Sequence, residues 1–116
     1  MLLRYDHVQL AIPEGGEDRA RAFFATTLGM TEVAKPPGLD PTGCWFEANG
    51  VEVHLGVEPG FAPARKAHPA FVVADLDVLA ERLTAAGHAV RWDHRIPERR
   101  RLHCDDPFGN RLEFLE

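Results

Sequence analysis

The chain repeats itself. His7 to Gly29 spans 22 residues and His68 to Gly87 spans 19, while Gly29 to His54 spans 25 and Gly87 to Glu113 spans 26. Gly50-Val-Glu-Val-His54-Leu lies opposite Gly109-Asn-Arg-Leu-Glu113-Phe, with a polar residue four positions after the glycine in each. An internal period of about 60 residues restricts the fold to two copies of one supersecondary unit.

Periodicity gives the content of each copy. Residues 5–13 alternate, with His7, Gln9 and Ala11 against Val8, Leu10 and Ile12, the signature of a strand with one apolar face. Residues 17–28 read as a helix with Ala20, Phe23, Phe24 and Thr27 on one stripe and Gly29 as its stop. A short strand is expected over 30–34, a loop over 35–43, and strands over 44–48 and 51–58 joined by Asn49-Gly50, a strong hairpin signal. After the Pro- and Gly-containing stretch 59–67 the order restarts: strand 68–73, helix 75–87, strand 89–92, strand 99–104, a turn at 105–109 and strand 111–115. The expected architecture is α+β: repeat 1 over 1–58, a linker over 59–67 and repeat 2 over 68–116, each a βαβββ unit, the two forming a half-open barrel.

Charge and composition exclude several functions. Eighteen acidic against 13 basic residues, a net charge of −5, does not suit a general nucleic-acid binder, which needs clustered positive charge. No apolar run approaches the ~20 residues of a membrane span, and residues 1–7 do not resemble a signal peptide. The two cysteines, Cys44 and Cys104, have no metal-type spacing and suit thiols in a reducing cytoplasm. Arg91, Arg95, Arg99, Arg100 and Arg101 form a local basic patch, which reads either as an anion-steering surface or as a charged edge that discourages aggregation.

Strand parity decides what the face opposite each helix carries. Once Val51, Val53 and Leu55 face the helix, Glu52 and His54 face away; the same logic turns His7, Gln9, His68, Arg111 and Glu113 to that side. Each residue alone reads as a polar side chain on a half-exposed sheet. Three imidazoles and a carboxylate at repeat-related positions read instead as a ligand set for a divalent metal: His7, His54, His68 and Glu113. Glu113, the one carboxylate among them, is also the expected proton acceptor. His103 alternates with Arg101 on its strand, and both are expected substrate contacts, with Gln9 and with Trp45 as a pocket wall or core residue. His88 and His94 fall near turns and are expected to be solvated.

The strand–helix–three-strand repeat, the histidine opening each half and the closing Asp-Pro-Phe-Gly-Asn-Arg-Leu-Glu-Phe resemble the vicinal-oxygen-chelate superfamily over essentially the whole chain. That group includes glyoxalase I, thiol transferases of fosfomycin resistance, extradiol dioxygenases, methylmalonyl-CoA epimerase and bleomycin-resistance proteins. The resemblance places metal ligands at His7, His54, His68 and Glu113. His7, His68 and Glu113 match the family's usual choices, whereas His54 stands where glyoxalase I has Glu and the epimerase Gln. It implies a small-molecule substrate, a homodimer in which the site is often shared, and a divalent ion (Zn, Ni, Co, Mn or Fe). The expected activity is that of a metal-dependent lyase, isomerase or transferase, with or without a thiol cosubstrate. An iron extradiol-type dioxygenase and a metal-free drug-binding protein are the alternatives.

Overall fold

A computed structural model describes all 116 residues. The chain divides into two compact units, Met1–Ala62 and Pro63–Glu116. Each is a four-stranded sheet with a helix, and no ladder closes either sheet into a barrel.

In the first unit the strands are β1 (Val8–Ile12), β2 (Thr31–Val33), β3 (Cys44–Ala48) and β4 (Val51–Val57), in the order β1-β4-β3-β2. β1 runs parallel to β4, and the other pairs are antiparallel. Asn49 and Gly50 take φ values of 51° and 79°, the two left-handed residues that a two-residue hairpin between β3 and β4 needs. Helix α1 (Glu17–Ala20) runs straight into a π-helical stretch, Arg21–Thr27. The Leu28 amide there donates to the Phe23 carbonyl, and the Thr27 hydroxyl to that of Ala22. The expected stripe is kept through this widening: Ala20, Phe23, Phe24 and Thr27 are buried. They join Ile12, Cys44, Phe46, Val53 and Leu55 in the core, with Phe24 stacked over Phe46.

The second unit repeats the plan with β5 (Ala70–Val72), helix α2 (Leu76–Ala85), β6 (Arg91–Trp92), β7 (Arg101–Asp105) and β8 (Arg111–Leu115), in the order β5-β8-β7-β6. The Asp75 carboxylate caps α2 by accepting from the Val78 amide, and Gly87, at φ 88°, ends it. Leu76, Leu83, Leu102, Cys104, Leu112 and Phe114 form the core. β6 starts at Arg91 rather than at 89, and β7 starts at Arg101 rather than at 99, after an irregular loop over 93–100; β5 starts two residues after His68. The β7–β8 turn is held by buried Asp106, whose carboxylate accepts from the Phe108 and Asn110 amides and the Asn110 side chain. Burial pushes its carboxyl upward against those three bonds.

Candidate metal centre

The ladders put the repeat-related residues in matching places. Gln9, His54 and Trp45 lie in one row across β1, β4 and β3. Ala70, Glu113 and His103 lie in the equivalent row across β5, β8 and β7. His54 and Glu113 therefore correspond, and His7 and His68 each stand two residues before the first strand's member of the row. His103 corresponds to Trp45, a pairing not evident from the alignment of the two sequence halves.

In the first unit an aromatic stack forms around His54. The His54 ring stacks 3.7 Å from the Trp45 ring and nearly parallel to it, and 3.9 Å from the His7 ring. Trp45 thus packs on a candidate ligand. His54 is 4% exposed, and burial pushes its pKa below the ordinary imidazole value against the pull of Glu52, 3.5 Å away. His7 is more open and bonds the Asp6 carboxylate at 2.9 Å through Nδ1. Gln9 is exposed, with its amide over Gly56, where an added Cβ would come within 2.2 Å of Nε2.

In the second unit His68, His103 and Glu113 present ligand atoms that all lie within 4.8 Å of one another. Glu113 Oε1 is 2.9 Å from His68 Nε2 and 3.3 Å from His103 Nε2. His68 Nδ1 donates to the Lys66 carbonyl at 2.8 Å. A carbonyl can only accept, so Nδ1 carries a hydrogen and a neutral ring has its lone pair on Nε2. Two lone-pair atoms facing each other at 2.9 Å require a cation, whether a proton or a metal ion. The donor set, two imidazoles and a carboxylate, suits a divalent first-row metal. Burial raises the Glu113 carboxyl, but His68, His103 and Arg101 outweigh it and hold it below the usual carboxylate range. His103 is pushed down by burial, partly opposed by Glu113 and Asp93.

Behind this group stands Arg101, with one terminal nitrogen 2.9 Å from Asp93 and the other 3.4 Å from Glu113 Oε2. Asp93 also accepts from Arg95, whose side chain and amide hold its carboxyl far below the ordinary range. The sequence reading missed Asp93, which lies in the irregular loop. The other arginines of the basic patch are also engaged: Arg91 with Asp105, Arg100 with Asp77 and Glu116, and Arg99 with the Glu116 carbonyl. The patch is locally neutralised rather than an open anion surface. His94 is exposed beside a cleft of about 340 Å³ lined by Asp77, Trp92, Arg100 and Arg101. His88 is half-buried at the end of α2, where its amide donates to the Leu83 carbonyl.

Comparison with known proteins places the fold. The family model of the Glyoxalase/Bleomycin resistance protein/Dioxygenase superfamily matches residues 4–114. The chain belongs to that superfamily. A structure described as that of a glyoxalase family protein from Bacillus anthracis is 46% identical, with a TM-score of 0.95 over 100% of this chain and 96% of the other. The fosfomycin resistance protein FosX from Listeria monocytogenes shares the fold at 18% identity, with a TM-score of 0.80 over 99% and 93% of the two chains. Lactoylglutathione lyase from Agrobacterium tumefaciens shares it at 22% identity, with a TM-score of 0.69 over 94% and 91%. No curated protein matches the chain. A glyoxalase-superfamily fold fixes the frame of the site and leaves the reaction to the side chains placed on it.

Proposed function

We propose that the protein is a metal-dependent enzyme of the glyoxalase superfamily, a lyase, isomerase or transferase, acting on a small molecule with adjacent oxygens. The observation that carries the reading is the meeting of His68 Nε2 with Glu113 Oε1 at 2.9 Å while His68 Nδ1 is committed to a carbonyl. His68 and Glu113 are the proposed ligands with direct geometric support. His7 and His54 remain in the proposed set because of their repeat positions and the family resemblance.

A divalent ion held there supplies Lewis acidity that stabilises negative charge on a substrate oxygen. The chain's own residues set the conditions. Glu113 Oε1 faces the imidazoles while Oε2 faces Arg101, so a role for Glu113 as proton acceptor requires one of these contacts to open. Gln9 and Trp45 are proposed substrate contacts, with Arg101 and His103 on the second unit's row.

Elemental analysis of tag-free protein tests the proposal. Roughly one equivalent of zinc, nickel, cobalt, manganese or iron per chain is expected, lost in Glu113→Ala. No uptake on soaking overturns it. Two imidazoles with one carboxylate is also the set used by non-haem iron oxygenases, which favours a dioxygenase as the second reading. Oxygen uptake with catechols, present only with ferrous iron, selects it. The proposal includes a homodimer and a cytoplasmic setting. Met1, Leu2, Leu3 and Tyr5 are almost wholly exposed, apolar surface that a second copy would cover, and both thiols are free. Light scattering at twice 12.9 kDa supports the dimer, and the monomer mass removes it.

A further inference from the structure

The second unit contains more of a metal centre than its repeat relationship calls for. His103 stands across the ladder from Glu113, where the first unit has Trp45 across from His54. The repeat thus replaces an indole, which has no lone pair to give, with an imidazole that has one. His103 Nε2 is 3.3 Å from the same Glu113 Oε1 that His68 Nε2 approaches at 2.9 Å, so three donors from three places in the chain converge on one point.

Each donor also has a partner of suitable polarity behind it. His68 Nδ1 gives its hydrogen to the Lys66 carbonyl at 2.8 Å. Glu113 Oε2 faces the Arg101 guanidinium at 3.4 Å, which leaves Oε1 turned to the imidazoles. His103 Nδ1 lies 3.9 Å from Asp93 Oδ2, the carboxylate oxygen that also holds Arg101 at 2.9 Å. Imidazole ligands backed by a carbonyl or carboxylate, and a carboxylate ligand backed by a donor, are what orients donors toward a metal. Arg101 commits its two terminal nitrogens to this arrangement and leaves Nε buried without an acceptor. A buried donor left unmatched is uncommon, and the two committed nitrogens account for where the guanidinium is held.

We infer that His103 joins His68 and Glu113 in holding a divalent transition-metal ion, with Asp93 and Arg101 holding the donors from behind. The inference rests on the proposed metal-dependent reading and deepens it by naming the third donor and the clamp. His103 is a ligand in this account and not a substrate contact. Asp93 is a positioning residue that acts through Arg101, with His103 in ion-pair range.

The test is titration of the full-length, tag-free protein with Co²⁺ and with Zn²⁺, followed by calorimetry and, for cobalt, by visible absorption. His103→Ala is expected to weaken both ions about a hundredfold or more and to shift the cobalt bands, and Asp93→Asn to weaken them about tenfold to a hundredfold, partly recovered in Asp93→Glu. Circular dichroism of each metal-free variant separates lost binding from lost folding, and His103→Gln supplies a second variant of similar bulk. Wild-type protein that binds while His103→Ala and His103→Gln, both folded, bind equally well overturns the inference and leaves the metal-dependent reading standing. Wild-type protein that binds neither ion overturns both.

Discussion

His54 and Cys44 show how far the surroundings of a residue reset its chemistry. The His54 imidazole lies between two rings and is pushed below the unfolded value of 6.5 by burial. Unfolding then takes up a proton as the pH falls. The stability from this burial is therefore complete above about 6.5 and declines as the pH drops toward the folded value. His54→Phe should flatten the dependence of Tm on pH between about 7 and 5, measured by calorimetry on metal-free protein; an unchanged slope contradicts this account of the ring. Burial pushes the Cys44 and Cys104 thiols up to about 11. Neither should react with a disulfide reagent in native protein at about pH 8, and both should react after denaturation. Prompt labelling of either in folded protein would show that its cover opens. Of the candidate site residues, the matching positions of His7, His68, His54 and Glu113 were legible because the repeat can be counted. His103 could have been found by counting back from the Asp106–Asn110 turn, since the turn sets which β7 residue faces Glu113. Asp93 had no such signal, because it sits where the chain leaves β6 for a loop with no periodicity.

The elements owe their shape to a few local devices. Gly43, at φ 80°, enters β3 so close to β4 that an added Cβ would meet the Leu55 carbonyl oxygen at 2.1 Å. Its amide also donates to Glu17, which ties the loop to α1. Gly43→Ala should lower stability by at least about 2 kcal/mol in chemical denaturation, from left-handed strain and the carbonyl clash together. A loss well under 1 kcal/mol would mean that the strand entry shifts freely. The strands and α2 were legible because alternation, a hairpin dipeptide and the Asp75 cap all act locally. The π-helical stretch Arg21–Thr27 was not. It keeps the same apolar side chains inward as an α-helix would, so the apolar stripe looks the same, and wider backbone bonds such as that from the Leu28 amide to the Phe23 carbonyl distinguish it.

At the scale of the molecule, duplication explains both the architecture and the functional proposal. Two units with the same strand order carry corresponding rows, and the rows have diverged: rings pack on rings in the first, while two imidazoles meet a carboxylate in the second. No helix is long and apolar enough to cross a membrane. The family was legible from the whole pattern, whereas the proposed reaction would depend on a cation and a substrate that the sequence does not encode in any local signal. The most direct measurement is a crystal structure of protein soaked in zinc, with anomalous data collected at the zinc edge. The account predicts an anomalous peak about 2.0–2.2 Å from His68 Nε2 and from one Glu113 oxygen. No peak there at full soaking, with His68 and Glu113 still bonded only to each other, would contradict it.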